Sequence, residues 1–306
     1  MRLAHCSDLH LLSLEGARTL DFASKRWIGG MNLLTNRGRH YHTEAFEDMV
    51  ADLNALGVDH VLCTGDVTNL AFEQEFRFAR VLFDRLTLGA HGVTVLPGNH
   101  DAYVDEGRAH FAAIFADYAT TDPGWTWDDG APSSEAGPWP IVRVRAGVAI
   151  IGISTSFQTP WFTAYGRVGE RQLARLGRAL ADPRLRGMAR VVAIHHPPAG
   201  RRARSRIRGL KDREAFAAVI ALHGAELVVH GHEHRDLRGT LPARSGVVDV
   251  LGVPSGTYEA GKPDRTARYR VFDIGDGAVI SHHLRVWDRD RRAFDRDVAE
   301  PAELAS

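Results

Sequence analysis

The 306-residue sequence predicts an α/β protein on three observations. Short apolar, β-branched runs alternate with longer segments of helical period, the pattern of strands joined by crossover helices. Five of those runs end in residues capable of chemistry. Residues 237–286 then carry alternating runs broken by glycines, which are expected to form antiparallel strands of a second sheet.

In chain order, residues 2–7 run into Asp8-Leu9-His10, 58–64 into Gly65-Asp66, and 92–96 into Pro97-Gly98-Asn99-His100-Asp101. Residues 189–194 lead into His195-His196-Pro197-Pro198, and 225–230 into Gly231-His232-Glu233-His234. Five strand ends are thus expected to converge on one edge, where open α/β sheets place their sites. Residues 43–56, 70–88, 105–118, 168–181 and 210–223 space apolar positions three and four apart, so they are expected to be helices covering the sheets. Residues 140–153 read as a hairpin through Ala146-Gly147, and residues 121–140 as a surface loop. One domain is expected over residues 1–287, with a cap-like insert at about 17–42 and a charged C-terminal tail over 288–306.

Composition narrows the function classes. Lys plus Arg and Asp plus Glu both number 38, so no global field points to nucleic acid or to a membrane. Cys6 and Cys63 lie inside apolar runs, which argues for buried thiols in a reduced compartment over a disulfide framework. The chain reaches Asp8 and His10 too early to leave room for a signal peptide, and no apolar stretch approaches ~18 residues. A cytoplasmic protein is the expectation.

The strand-end residues fit one kind of chemistry. A dinuclear site for divalent metals needs oxygen and imidazole ligands, one of them a carboxylate able to bridge ions ~3.5–4 Å apart. In an extended strand, positions two apart share a side, so Asp8 and His10 are expected to grip one ion together, and likewise His232 and His234. Asp66 follows a glycine that permits close backbone approach, and its two oxygens suit the bridge. Asn99 offers an amide oxygen and His195 another imidazole. Each piece alone is common by chance, and the ordered combination is not.

That combination of Asp-x-His, Gly-Asp, Gly-Asn-His-Asp, His-His-Pro and Gly-His-x-His, running from Asp8 to His234, resembles the calcineurin-like metallophosphoesterase superfamily. The resemblance implies a four-layer αββα sandwich of two mixed sheets flanked by helices, and a dinuclear centre of manganese, iron or zinc that hydrolyses phosphate esters. It further implies that one ion takes Asp8, His10, Asp66 and His234, and the other Asp66, Asn99, His195 and His232. His100 would face the substrate phosphate and stabilise charge or protonate the leaving oxygen, with Asp101 orienting its ring.

Val67-Thr68-Asn69 follow Asp66, where protein serine/threonine phosphatases of the superfamily carry an Asp-Arg-Gly element. Purple acid phosphatases place a tyrosine where Asn69 stands. The motifs look most similar to the bacterial cyclic-nucleotide and glycerophosphodiester phosphodiesterase branch, which implies a small anionic phosphodiester substrate. A lipid-linked or nucleotide-sugar pyrophosphate is the second expectation, motivated by residues 17–42, where Phe22, Trp27, Ile28 and Leu33 are interleaved with Lys25, Arg26 and Arg37. That insert reads as a helical cap or as an amphipathic element in peripheral contact with lipid. A scaffold protein that has lost the chemistry is the third reading, and the complete ligand set argues against it.

Other residues carry bland and functional readings side by side. His196 sits beside a candidate ligand and is a candidate for orienting the site or holding substrate. Residues 201–213 hold seven basic residues, either a solvated loop or a source of guanidinium groups for an anionic substrate, with Arg202 and Arg204 the candidates. One short run is a poor footprint for nucleic acid. Trp125, Trp127, Trp139 and Trp161 fall in loop-like stretches and either pack there or line a pocket.

Overall fold

A computed structural model of the chain describes residues 1–13, 15, 40–102, 104–127, 138–259, 261 and 266–298. The insert expected at about 17–42 lies outside these residues except for His40, Tyr41 and His42, as do residues 299–306 of the expected tail.

Strands β1 (Arg2–Cys6), β2 (His60–Cys63) and β3 (Val93–Val95) lie side by side in parallel. Helices α1 (Thr43–Leu56) and α2 (Glu73–Phe83) connect them, and α3 (Asp105–Ile114) follows β3. Helix α1 ends where its apolar spacing ends, at Gly57, whose φ of 60° is the left-handed stop that glycine adopts at least cost. The hairpin of β4 (Ile141–Arg145) and β5 (Val148–Gly152) turns through Ala146 and Gly147, both at positive φ as a two-residue turn requires. From β5 the chain crosses through α4 (Glu170–Leu180) to β6 (Ala189–Ala193), then through the short α5 (Gly200–Ala203) and α6 (Arg213–His223) to β7 (Leu227–His230). Strands β8 (Arg238–Ala243), β9 (Gly246–Gly252), β10 (Arg268–Gly275), β11 (Ala278–Asp288) and β12 (Ala293–Arg296) complete the described elements.

Two mixed six-stranded sheets result, in the orders β12-β11-β10-β1-β2-β3 and β4-β5-β6-β7-β9-β8. Leu3, Leu62, Phe272, Ile150, Val191, Leu227 and Val229 form the core between them. Phe46, Met49, Phe76, Phe83 and Phe111 pack α1 to α3 on the outer face of the first sheet, and Leu173, Leu176, Phe216 and Ile220 pack α4 and α6 on the second. These are the four layers expected.

Two expectations change. Residues 237–286 do not build one second sheet: β8 and β9 extend the sheet of β4 to β7, while β10 and β11 return to flank β1. Strand β10 buries apolar side chains on both faces, Tyr269 and Val271 on the helix side and Phe272 and Ile274 between the sheets, and pairs its buried Arg270 with Asp236, so it suits an interior place beside β1. The half-exposed β8 suits an edge. The expected tail also starts later, because Phe294 buries itself against Tyr269 and makes 293–296 an edge strand on β11. Cys6 and Cys63 are buried, unpaired thiols on adjacent strands, as the apolar runs predict. No helix among the described residues is long and apolar enough to cross a membrane.

Candidate metal centre

Asp8 and His10 follow β1, Asp66 follows β2 and Asn99 follows β3; His195 follows β6, and His232 and His234 follow β7. The expected convergence therefore occurs where the C-terminal ends of two facing sheets meet, not along one sheet edge. The strand alternation expected to pair Asp8 with His10 is also replaced by another device. Both residues lie beyond β1 at positive φ, 54° and 44°, and so do Asp66, His232 and His234 at 52°, 72° and 53°. A left-handed residue other than glycine costs on the order of 1 kcal/mol and persists only where its surroundings enforce it.

Those surroundings are explicit. Asp8 N–H donates to Gly65 O at 2.8 Å and His10 N–H to Asp66 O at 2.9 Å, so a kinked ladder continues past the strands. The Ser255 and Thr257 hydroxyls donate to the carbonyls of Asp8 and Leu9, each at 2.6 Å. His232 N–H donates to Asp8 Oδ2 at 2.8 Å and ties the two sheets together at the site. Close approach explains the glycines: a Cβ on Gly65 would lie 2.4 Å from Gly98 N, and one on Gly231 would lie 1.9 Å from Ser7 Oγ.

The donor atoms fall into overlapping groups. Asp8, His10 and His234 bring one donor each within 4.8 Å of one another, as do Asp66, His195 and His232, and also His10, Asp66 and His100. His234 Nε2 lies 3.2 Å from Asp8 Oδ1 and 3.2 Å from His10 Nε2. Asp66 turns Oδ2 toward His10 Nε2 at 3.8 Å and Oδ1 toward His195 Nε2 at 3.5 Å, one oxygen for each side. Asn99 Oδ1 lies 3.2 Å from His195 Nε2, and His232 Nδ1 lies 3.3 Å from it.

These residues fit a pair of cations. His195 Nδ1 donates to the Thr64 carbonyl at 2.8 Å, which leaves Nε2 of the neutral ring as a lone pair. That lone pair faces two oxygens and another ring nitrogen, a convergence that positive charge would relieve. Protonation answers the same demand: burial lowers the affinity of His195 for a proton, but neighbouring Asp66 outweighs it and the group is carried up to about 9. Burial likewise works to raise the Asp66 carboxyl, and His195, His100 and His10 overcome it and hold it well below the usual range. Oxygen and imidazole donors with one shared carboxylate suit borderline divalent ions.

Residues 1–236 match the calcineurin-like phosphoesterase family. The chain belongs to that family. No curated protein sequence matches it significantly. Among solved structures it is similar to a dimetal phosphatase from Danio rerio, at 12% identity and a TM-score of 0.58 over 93% of this chain and 95% of that one. It is also similar to a purple acid phosphatase from yellow lupin seeds, at 12% identity and a TM-score of 0.57 over 94% of this chain and 51% of that one. At such identities the likeness is one of fold. Family membership makes the protein a metal-dependent phosphoesterase, and its candidate ligand groups agree with the family's dinuclear centre.

Within this phosphoesterase, His100 stands beside the donors, its ring 4.8 Å from that of His10 and its N–H donating to Asp66 Oδ1 at 2.7 Å. The expectation is that Asp101 orients its ring. His100 Nδ1 donates to Asn69 O at 2.7 Å, whereas the buried Asp101 carboxylate accepts from Val67 N, Thr68 N, Thr68 Oγ1 and Gly98 N. Asp101 therefore clamps the loop after Asp66 to the loop before Asn99.

Of the two readings of His196, its contacts favour orienting the site. Its Nε2 donates to Ala164 O at 3.1 Å, its Nδ1 meets Thr155 Oγ1 at 2.7 Å, and burial, followed by His195, takes its pKa down to about 3. A neutral, buried ring with both nitrogens engaged braces His232, 4.3 Å away between ring centres, and does not hold an anion. Arg202 donates to Glu233 Oε2 at 2.9 Å, and Arg208 reaches the His232 carbonyl at 3.4 Å. Arg204 is exposed at the end of α5, and among the described residues it touches no candidate ligand. Trp125 and Trp127 pack on the second sheet's helix layer and Trp139 on the cores, while Trp161 is exposed.

Tyr41 escaped sequence reasoning. Its hydroxyl hydrogen bonds with His234 Nδ1 at 3.2 Å and its ring packs edge-on to His10 at 4.7 Å. A lone tyrosine in a basic stretch carries no sequence signal; its bridge to Tyr258, far along the chain, is what places it.

Proposed function

We propose that this phosphoesterase hydrolyses a phosphodiester in a small anionic substrate, a 3',5'-cyclic nucleotide or a glycerophosphodiester, using two divalent ions of manganese, iron or zinc. The observation that carries the two-ion centre is the Asp66 carboxylate, which turns one oxygen toward each group of donors. Asp8, His10 and His234 would hold one ion and Asn99, His195 and His232 the other, with Asp66 shared. When bound, the pair supplies Lewis-acid activation of water and of the phosphoryl oxygens.

The chain's own groups do the rest. His100, anchored through Nδ1 on Asn69 O, would protonate the departing alkoxide from Nε2, acting as the imidazolium. Asp101 keeps Asp66 and Asn99 in mutual register by tying their loops together. Arg208 and Arg202, beside His232, offer guanidinium donors to a further anionic oxygen of the substrate. The run Val67-Thr68-Asn69, without the Asp-Arg-Gly element or a tyrosine at position 69, favours this ester class over protein phosphatase and purple acid phosphatase chemistry. Buried Cys6 and Cys63 thiols agree with a cytoplasmic setting.

Hydrolysis of bis-p-nitrophenyl phosphate against p-nitrophenyl phosphate by manganese-loaded protein tests the ester class. Faster cleavage of the diester than of the monoester is expected. A preference for the monoester would overturn it.

A further inference from the structure

Outside the metal centre, the largest exposed apolar side chains of the described residues include three on adjoining loops. Trp161 is 57% exposed, Phe162 79% and Ile207 55%. Ala164 N–H donates to Ile207 O at 2.7 Å and Gly166 N–H to Gly209 O at 3.1 Å, which zips the loop of residues 159–166 to that of residues 203–210. The first loop is a tight spike: the Thr163 hydroxyl and N–H both donate to Pro160 O, and Phe162 stands at a φ of 63°, which bulky residues seldom adopt. Nothing in the core rewards this conformation, since it carries the ring outward.

The second loop is the basic run. Of its seven cations, Arg202 and Arg208 face Glu233, Arg213 faces Glu214, and Lys211 lies over the Tyr165 ring at 4.3 Å. Its acidic residue, Asp212, is occupied by the N–H groups of Val168 and Gly169. Arg201, Arg204 and Arg206 are exposed and have no acidic partner among the described residues. A protein with a formal net charge of zero thus gathers unneutralised cations in the basic run to which the aromatic spike is zipped.

We propose that the Trp161–Phe162 spike and the flanking Arg201, Arg204 and Arg206 form a docking surface for a membrane bearing anionic lipid. Aromatic side chains enter the headgroup boundary while guanidinium groups stay with the phosphates. Three apolar side chains fall far short of the ~1,200–2,000 Å² that a stable protein interface buries, whereas a membrane needs only a wedge and charge. The same loops reach the metal centre, since Ala164 O holds His196, which packs on His232. The surface does not depend on which ester is cut.

Sedimentation of the whole protein with phosphatidylcholine vesicles, alone or mixed with phosphatidylglycerol, tests this. Binding only to the mixed vesicles is expected, weakened by salt. Trp161→Ser with Phe162→Ser should reduce partitioning on the order of tenfold or more. Arg201→Gln with Arg206→Gln should reduce it about 25-fold, about five-fold per charge. Both pairs should keep wild-type circular dichroism and bis-p-nitrophenyl phosphate turnover. If the aromatic pair fails to fold, the arginine pair decides. Failure of the wild type to sediment with anionic vesicles, or unchanged sedimentation of the folded variants, would overturn the proposal. Equal binding to neutral vesicles would refute the role of the arginines. A concentration-dependent dimer lost in the aromatic variant, without vesicle binding, would assign the spike to self-association instead.

Discussion

Gly98 approaches Asp66 so closely that a Cβ on it would lie 2.2 Å from both Asp66 N and Asp66 Oδ1. No neighbour can yield, because the first atom is backbone and the second is the oxygen directed at His195. Gly98→Ala is therefore expected to displace the Asp66 carboxylate and cost a metal ion before it costs the fold. Metal content by mass spectrometry should fall below that of the wild type while circular dichroism is kept. Full metal content would show that Asp66 tolerates the shift.

His100→Ala should retain its metals and slow turnover ~10²–10⁴-fold, the usual worth of a positioned acid. The loss should shrink for esters with good leaving groups, which need no proton. An equal loss for good and poor leaving groups would assign His100 to charge stabilisation instead.

Tyr41→Phe removes the hydroxyl from His234 Nδ1 and leaves the ring against His10. Groups that hold a ligand's outer nitrogen are worth about 10–100-fold in metal affinity or activity. Calorimetric titration with manganese should show one of the two sites loosened within that range. Unchanged binding at both sites would remove Tyr41 from the centre.

Glu75 lies buried at the start of α2, where its Oε2 accepts from Leu70 N at 2.9 Å and Phe72 N at 3.1 Å. Burial pushes its carboxyl up to about 8, despite those N–H groups holding it down. The unfolded chain releases the same proton near ~4.3, so between these values the native state binds more protons and stability falls as pH rises. Urea unfolding across about pH 5 to 8 should show the wild type losing stability relative to Glu75→Gln, whose amide keeps an acceptor oxygen. Parallel curves would mean that Glu75 is ionised in the fold.

Much of this architecture was legible in the sequence because period and chemistry agree there. The apolar spacing of residues 43–56 ends at α1's own boundaries, and each apolar run that ends in a ligand-capable residue is a strand. What was not legible has a common cause: backbone conformation and long-range partners leave little trace in local pattern. Nothing in Asp8-Leu9-His10 announces that both ends are left-handed, since that follows from Gly65, Ser255 and Thr257 far along the chain. Asp101 follows His100 in sequence, yet its partners are Val67, Thr68 and Gly98. His196 looks like a second ligand beside His195 until Ala164 and Thr155 are seen to occupy it.

Asp66 is proposed to join two metal sites, and metal stoichiometry reads that role out. Manganese titration of the metal-stripped protein, followed by calorimetry, should give two ions per chain for the wild type. Asp66→Ala should bind fewer, with hydrolysis of bis-p-nitrophenyl phosphate abolished. Two ions bound by Asp66→Ala with turnover intact would contradict the account.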